Sequence, residues 1–441
     1  MVVMVIVLVF LHLTVKQVKT DEIRVKCPSV CNCPNRTVAI CNNQRIDEIS
    51  PDRDSFESSL EKLEFSGNKL TLLDDDTLLE WKVSNLRSLN LSGNRIVNIT
   101  RYAFQGFGQL EDLDLSRNNV SSIHFESFLF LPKLAVLRLA GNRLTEIHPV
   151  TFTELFHLRH LDLSNNIISE IHRETFFNNS DLEWLSLAKN EISEIDPHVF
   201  QNQRKLSYLD LSENLITKIE GELFCYNRKH ETLLLASNNI SEFNASAFHK
   251  GSELSDLDVS RNRIEVLESL TLLSLKSLNV SKNSLQSLRS RSFSNLKDLR
   301  NLSLARNNTL EINDEAFYGL EKLEYLDLSS NNISEFNASA FHKESERSDL
   351  DVSRNRIEIL GSLTLLSLES LDISNNSLRS LRSRSFSNLK DLRYLSLAGN
   401  NILEINDEAF YGLENLEYLD LSSNNITDIS SSVFQNMLHQ M

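Results

Sequence analysis

The sequence predicts an α/β-type solenoid, a curved stack of short parallel strands that is mostly strand and loop with short or irregular convex segments. Three observations carry that expectation. From residue 60 onward the pattern L-x-x-L-x-L-x-x-N-x-L recurs, with its Asn at 68, 94, 118, 142, 166, 190, 214, 238, 262, 283, 307, 331, 355, 376, 400 and 424. Most of these sixteen units are 24 residues long, and 13 of the 23 Phe residues fall ten residues after a repeat Asn. Gly (11) and Pro (6) are too scarce for a collagen-like or linker-rich chain.

The elements follow in chain order. Val2 to Leu13 is apolar except for His12, too short for a membrane span of about 20 residues and suited to a secretory signal peptide. Residues 1–20 are read as that signal, with cleavage near Thr20. Four cysteines then crowd together at Cys27, Cys31, Cys33 and Cys41. Such a group could bind zinc or form two disulfides, and an oxidising compartment favours disulfides, in any of about three pairings. Residues 21–45 form a cysteine-rich segment, and 46–441 the solenoid. Cys225 is left over, as a buried free thiol on the convex side or an intermolecular disulfide.

Within each unit, L-x-L alternation makes a short strand with Leu inward and the intervening residue outward. No unit can bury its apolar face alone, so neighbours must stack and share one core. The repeated Asn belongs inside, its amide bonded to backbone groups of adjacent turns. Phe fills the wider gap beneath the returning segment. The units after Asn262 and Asn355 are 21 residues long and lack the Phe. Residues 237–329 and 330–422 align without gaps and differ at thirteen of 93 positions, an internal duplication of four units. One difference puts Arg347 where the first copy has Leu254, at a core position from which a cation must snorkel outward.

With these residues in view, the chain resembles the extracellular leucine-rich repeat family, in its 24-residue form with a cysteine-rich N-terminal cap. Toll-type receptors, Slit-like guidance proteins and chaoptin-like adhesion proteins share this grammar. The resemblance covers roughly residues 27 to 441 and implies a leucine-rich repeat horseshoe. It also implies that the cysteine-rich segment 21–45 is an N-terminal cap, with Cys27–Cys33 and Cys31–Cys41 pairing. The family's C-terminal cysteine cap has no counterpart after Asn424, which makes the solenoid edge or that end a candidate homodimer contact.

Function follows from what the surface offers. Lys plus Arg is 45 and Asp plus Glu 61, giving a net charge of −16 and a pI near 5.2; nucleic acid and glycosaminoglycan are unsuited partners. No zinc-protease, phosphate-loop or nucleophile-elbow motif occurs, so no enzyme, cofactor or metal is expected. His157 and His160 form H-x-x-H, but one falls in a loop and the other on a strand. The exposed position between the second and third Leu is Asp in eight of sixteen units, among them Asp162 and Asp210. Asp112/Asp114, Asp256/Asp258 and Asp349/Asp351 add a second carboxylate two residues earlier, where a basic partner or Ca²⁺ would fit.

The other exposed column reads Val136, His160, Trp184 and Tyr208 on four consecutive strands, followed by Thr232 beside Leu234. Trp and Tyr are enriched among interface hot spots, so this stripe, flanked by Asp162 and Asp210, is the expected concave ligand-binding face. Fourteen N-x-Ser/Thr triplets occur, and those at Asn35, Asn98, Asn119, Asn178, Asn239, Asn244, Asn332, Asn337 and Asn425 are the glycosylation candidates. On the exposed columns they fall only at Asn90, Asn279 and Asn301, leaving strands 110–259 clear. The reading is protein–protein recognition by an extracellular, secreted or cell-surface solenoid: ligand binding, adhesion or an innate-immune type of receptor ectodomain. The alternative is a structural matrix protein.

Overall fold

The computed structural model describes residues 26–47, 56–75, 78, 81–219, 221–243, 245–249, 251–267, 270–336, 338–341, 348–360, 363 and 367–434. The predicted signal peptide, the triplets at Asn244 and Asn337, and Arg347 lie outside these residues. The L-x-L segments form one 17-stranded sheet. Its strands pair in parallel and in sequence order from Val38–Ile40 and Lys62–Glu64 to Tyr394–Ser396 and Tyr418–Asp420. The middle residues, such as Leu137, Leu161, Leu185 and Leu209, point into the core, while the residues on either side of each form two parallel outer columns. A short unit in the sequence therefore becomes one rung of a continuous sheet.

The repeated Asn is what fixes the spacing of the rungs. Asn118 Nδ2 donates to the carbonyls of Leu91 in the preceding turn and Leu115 in its own, both at 3.0 Å. Its Oδ1 accepts the Ile96 N–H at 3.1 Å. The same set recurs at Asn190 and, across a 21-residue unit, at Asn283, which reaches Val259 O and the Ile264 N–H, each at 3.0 Å. The three missing residues are thus absorbed by the returning segment, and the strand side keeps its geometry. The residue before each ladder Asn adopts a left-handed backbone: Arg117, Glu213 and Arg261 all have φ of 54°, and Gly141 has 67°. That conformation is unfavourable for non-glycine residues, so the ladder imposes it on whichever side chain is present.

Beneath the returning segments the Phe rings stack along the solenoid. One run joins Phe104 through Phe248, with centroid separations such as 6.2 Å for Phe128–Phe152 and 6.4 Å for Phe152–Phe176. Two shorter runs follow, Phe293–Phe317–Phe341 and Phe386–Phe410–Phe434. The breaks are the two short units; in the first, Leu270, Leu272 and Leu275 are buried where no Phe is present. The far side carries two-residue strand pairs, such as Lys218–Ile219 with Glu242–Phe243, and short 3₁₀ turns including Ser431–Phe434. No helix among the described residues is long and apolar enough to cross a membrane.

At the N-terminal end, Cys27–Cys33 and Cys31–Cys41 are disulfide-bonded. The loop they tie carries Val38–Ile40, which pairs with Lys62–Glu64 and buries Ala39 and Cys41 in the common core. Cys225 is free and only half-buried, its thiol directed at the Ser246 and Ala247 carbonyls. The expectation of a buried thiol is corrected there, because Cys225 follows the inward Phe224 and turns back toward the surface.

Among the described residues one core Leu position carries a titratable side chain. His230 stands where the neighbouring turns carry Leu206 and Leu254, and all three are buried. Among the described residues neither ring nitrogen of His230 has a hydrogen-bond partner, and the Phe224 ring lies 5.7 Å away. Burial pushes its pKa down from 6.5 to about 3. The folded chain therefore requires the neutral imidazole, while the unfolded chain protonates near pH 6.5. Stability is complete above that pH and is lost progressively below it, by about 2 kcal/mol at pH 5. Urea unfolding at pH 7.5 and 5.0 should show His230→Leu losing less stability on acidification than the unaltered chain. Equal acid losses in the two proteins would contradict this role for His230.

Candidate functional site on the strand face

The candidate residues lie on five adjacent strands: Val136–Arg138, His160–Asp162, Trp184–Ser186, Tyr208–Asp210 and Thr232–Leu234. Parallel register aligns Val136, His160, Trp184, Tyr208 and Thr232 in one column, and Arg138, Asp162, Ser186, Asp210 and Leu234 in the other. The first column is half-buried throughout. Strand spacing brings its rings face to face: His160 and Trp184 are 3.9 Å apart at 6°, and Trp184 and Tyr208 are 5.1 Å apart at 5°. The result is a three-ring stack with Val136 at one end and Thr232 beside Leu234 at the other. Side chains held this way lose little further freedom when a partner covers them.

The Asp column has a structural duty that explains its frequency. Asp162 and Asp210 each use Oδ1 to accept the backbone N–H two residues on, from Ser164 at 3.0 Å and Ser212 at 2.9 Å. Asp114, Asp258, Asp327, Asp351, Asp372 and Asp420 do the same. An Asp at this position is therefore no sign of a ligand by itself, and the stacked rings are the more informative feature. Beside them a shallow depression of about 500 Å³ is lined by Arg138, Asp162, Ser186, Asp210 and Lys189. Asp112 is engaged by Arg138 at 2.7 Å. His157 lies 3.9 Å from Asp181 while His160 stacks on Trp184, so the H-x-x-H residues serve different surroundings. Among the described residues no group of three or more His, Cys, Asp or Glu is placed to hold a metal ion.

Electrostatics separates the rings. Burial, then Arg138, lowers the His160 pKa below 6.5, with Asp162 and Asp112 opposing. Burial and the Asp210 and Asp162 carboxylates raise that of Tyr208. Further along the same column is a second aromatic group that four consecutive strands do not reveal. Tyr394 and Tyr418 stack at 4.7 Å and 1°, and Tyr325 stands apart from them. Burial and Asp327, Asp351 and Asp349 push Tyr325 up to about 12. The signal was available in the duplication, where Tyr394 replaces Asn301 and Asp372 replaces Asn279. The triplets at Asn279 and Asn301 lie between the two aromatic groups. Of the other candidates, Asn35, Asn98, Asn119 and Asn425 are exposed. Asn178 donates to the Thr153 carbonyl at 3.1 Å, and Asn307 is a buried ladder residue.

The sequence profile of the leucine rich repeat family matches residues 84–144, 132–192, 180–235, 297–357, 361–402 and 392–439. The chain belongs to the leucine-rich repeat family. This leucine-rich repeat chain is 32% identical to leucine-rich repeat-containing protein 3B of Danio rerio over 118 residues, and to leucine-rich repeat-containing protein 3 of the same species over 108. The matches take in 25% and 23% of this chain and 44% and 38% of those proteins, so it spans less than half of either relative. A leucine-rich repeat protein of Leptospira interrogans superposes with a TM-score of 0.67 at 26% identity, over 88% of this chain and 90% of that one. The structure of the Drosophila Toll–Spätzle complex gives 0.66 at 21% identity, over 78% and 48%. A plant peptide hormone receptor in complex with RGF2 gives 0.59 at 23%, over 84% and 57%. The likeness to the last two is one of fold.

The ring stack offers its own test. Trp81 and Trp184 are the two tryptophans of the chain, and Trp81 is buried against Phe56 and Phe65. In a Trp81→Phe leucine-rich repeat chain, emission reports Trp184 alone. A protonated imidazole against the indole quenches it, so emission should fall on acidification with a midpoint below pH 6.5. The same titration of a variant that also carries His160→Gln should be flat over that range. A midpoint at or above 6.5, or an unchanged titration without His160, would contradict the stacked, half-buried geometry.

Proposed function

We propose that this leucine-rich repeat chain is an extracellular recognition module that binds a protein ligand on its strand face. The three-ring stack His160–Trp184–Tyr208 carries the reading. It is large, half-buried and rigid, the character of an interface anchor. Val136 and Leu234 extend its apolar area, and the outward oxygens of Asp162 and Asp210 suit a ligand with basic side chains. Carbohydrate triplets are absent from the exposed columns between residues 110 and 259, which supports access to this window. Similar solenoids in the Toll–Spätzle complex and the plant peptide hormone receptor are seen with partners, which supports recognition as their shared use.

The extracellular setting is supported by the signal-like leader at 1–20, the cystine-tied segment within 21–45 and the exposed triplets at Asn35, Asn98, Asn119 and Asn425. Residues 46–441 are the recognition solenoid in this reading. The test is a binding screen of the tagged chain against a panel of secreted proteins and receptor ectodomains, followed by the affinity of each binder for Trp184→Asp. Truncating a central aromatic anchor and placing a charge there should cost at least about thirtyfold in affinity. Binders that hold Trp184→Asp and the unaltered chain equally would remove the strand-face stack from the account.

A further inference from the structure

On the flank of the solenoid, away from the strand face, lies a depression of about 600 Å³ whose chemistry runs against the rest of the molecule. The chain carries a net charge of −16, yet Arg204, Arg228 and Lys229 all line this hollow, with Glu222 as the opposing carboxylate. The repeat explains how they meet. The sequence four and five residues after the stacked Phe is Arg-Lys in two successive turns, Arg204-Lys205 and Arg228-Lys229. Elsewhere on this flank a Lys at the second of these positions is matched by a side-chain oxygen one turn earlier: Lys205 holds Asp181, Lys322 holds Asp298 and Lys133 holds Gln109, each at 2.6 Å. One turn before Lys229 stands Lys205, which is already engaged. Among the described residues Arg204, Arg228 and Lys229 have no ion pair.

The remaining wall is suited to a bound molecule rather than to bulk solvent alone. The Tyr226 ring is exposed at the hollow, and His249 takes the Gly251 N–H on Nδ1 at 2.9 Å. We propose that this hollow is a binding site for a small oxyanion-bearing ligand, a sulfate or phosphate ester on a sugar-sized body, held by Arg204, Arg228 and Lys229 with its body against Tyr226. Guanidinium groups match such oxygens two at a time, and the lysine adds a point charge. The hollow has room for a monosaccharide beyond the acid group.

The test titrates the full chain, by calorimetry or equilibrium dialysis, with N-acetylglucosamine 6-sulfate, N-acetylglucosamine 6-phosphate and unmodified N-acetylglucosamine. Either charged sugar should bind and the neutral sugar should not; which of the two binds more tightly tells sulfate from phosphate. Arg228→Gln combined with Lys229→Gln should weaken that binding at least about tenfold, while Arg173→Gln, an exposed cation outside the hollow, should leave it unchanged. Both substituted residues are exposed, so the variant should keep the thermal unfolding profile of the parent. Charged and neutral sugars bound alike, no binding of either charged sugar, or full binding by the double variant would each overturn the proposal.

Discussion

One side-chain amide, repeated, sets the geometry of the whole molecule. A ladder Asn accepts backbone N–H and donates to backbone carbonyls of two turns, as Asn118 does with Ile96, Leu91 and Leu115. These groups are cut off from water by the Leu and Phe core, where an unpaired donor or acceptor costs about 1–3 kcal/mol. Asn alone has the length and the paired donor and acceptor to answer all of them from this position. The constraint reaches outward: it forces left-handed backbone on Arg117, Glu213 and Arg261, residues with no preference for it. It also keeps the strands in step through the 21-residue units, where Asn283 still meets Val259 and Ile264.

A sheet held in step has consequences at its surface. Parallel register places equivalent residues side by side, so whatever occupies an outer column is read as a stripe. In the first column that stripe becomes the His160–Trp184–Tyr208 stack and, further on, the Tyr394–Tyr418 pair. In the second, it becomes a row of aspartates whose first oxygen closes the turn after the strand. On the flank, the same stacking brings two Arg-Lys steps together and leaves more cations than carboxylates to meet them. Recognition chemistry here is a matter of which residues the repeat leaves free to vary.

Much of this was legible in the amino-acid order because each signal is local and recurs. The strands, the inward Leu, the ladder Asn and the Phe spine all follow from fixed spacing, and so does the column holding Val136, His160, Trp184 and Tyr208. Other features depend on what a neighbouring turn supplies. His230 occupies a Leu position, but that its nitrogens find no partner is settled by Phe224 and the apolar turns around it. Tyr325, Tyr394 and Tyr418 obey the column rule yet do not form an unbroken run, so their grouping emerges only when the strands are stacked. Lys229 looks like Lys205 in sequence; the difference lies in Asp181, which one of them reaches and the other does not. Cys225 was expected inside and sits half-buried because its turn directs Phe224 inward instead.

The most direct test of the ladder is amide hydrogen exchange on Asn190→Ala. Asn190 joins Leu163, Ile168 and Leu187, and the Trp184–Ser186 strand lies in the turn it closes. Its loss should leave the Ile168 N–H unanswered, at a cost of about 1–3 kcal/mol, and strip one of two side-chain donors from the Leu163 and Leu187 carbonyls, which keep Asn166 and Asn214. Protection should fall in the two adjoining turns, residues 163–214, and be kept in the cystine-tied end and the duplicated units. Protection unchanged around residues 163–190, or a loss spread evenly over the chain, would contradict a solenoid held turn by turn through its asparagines.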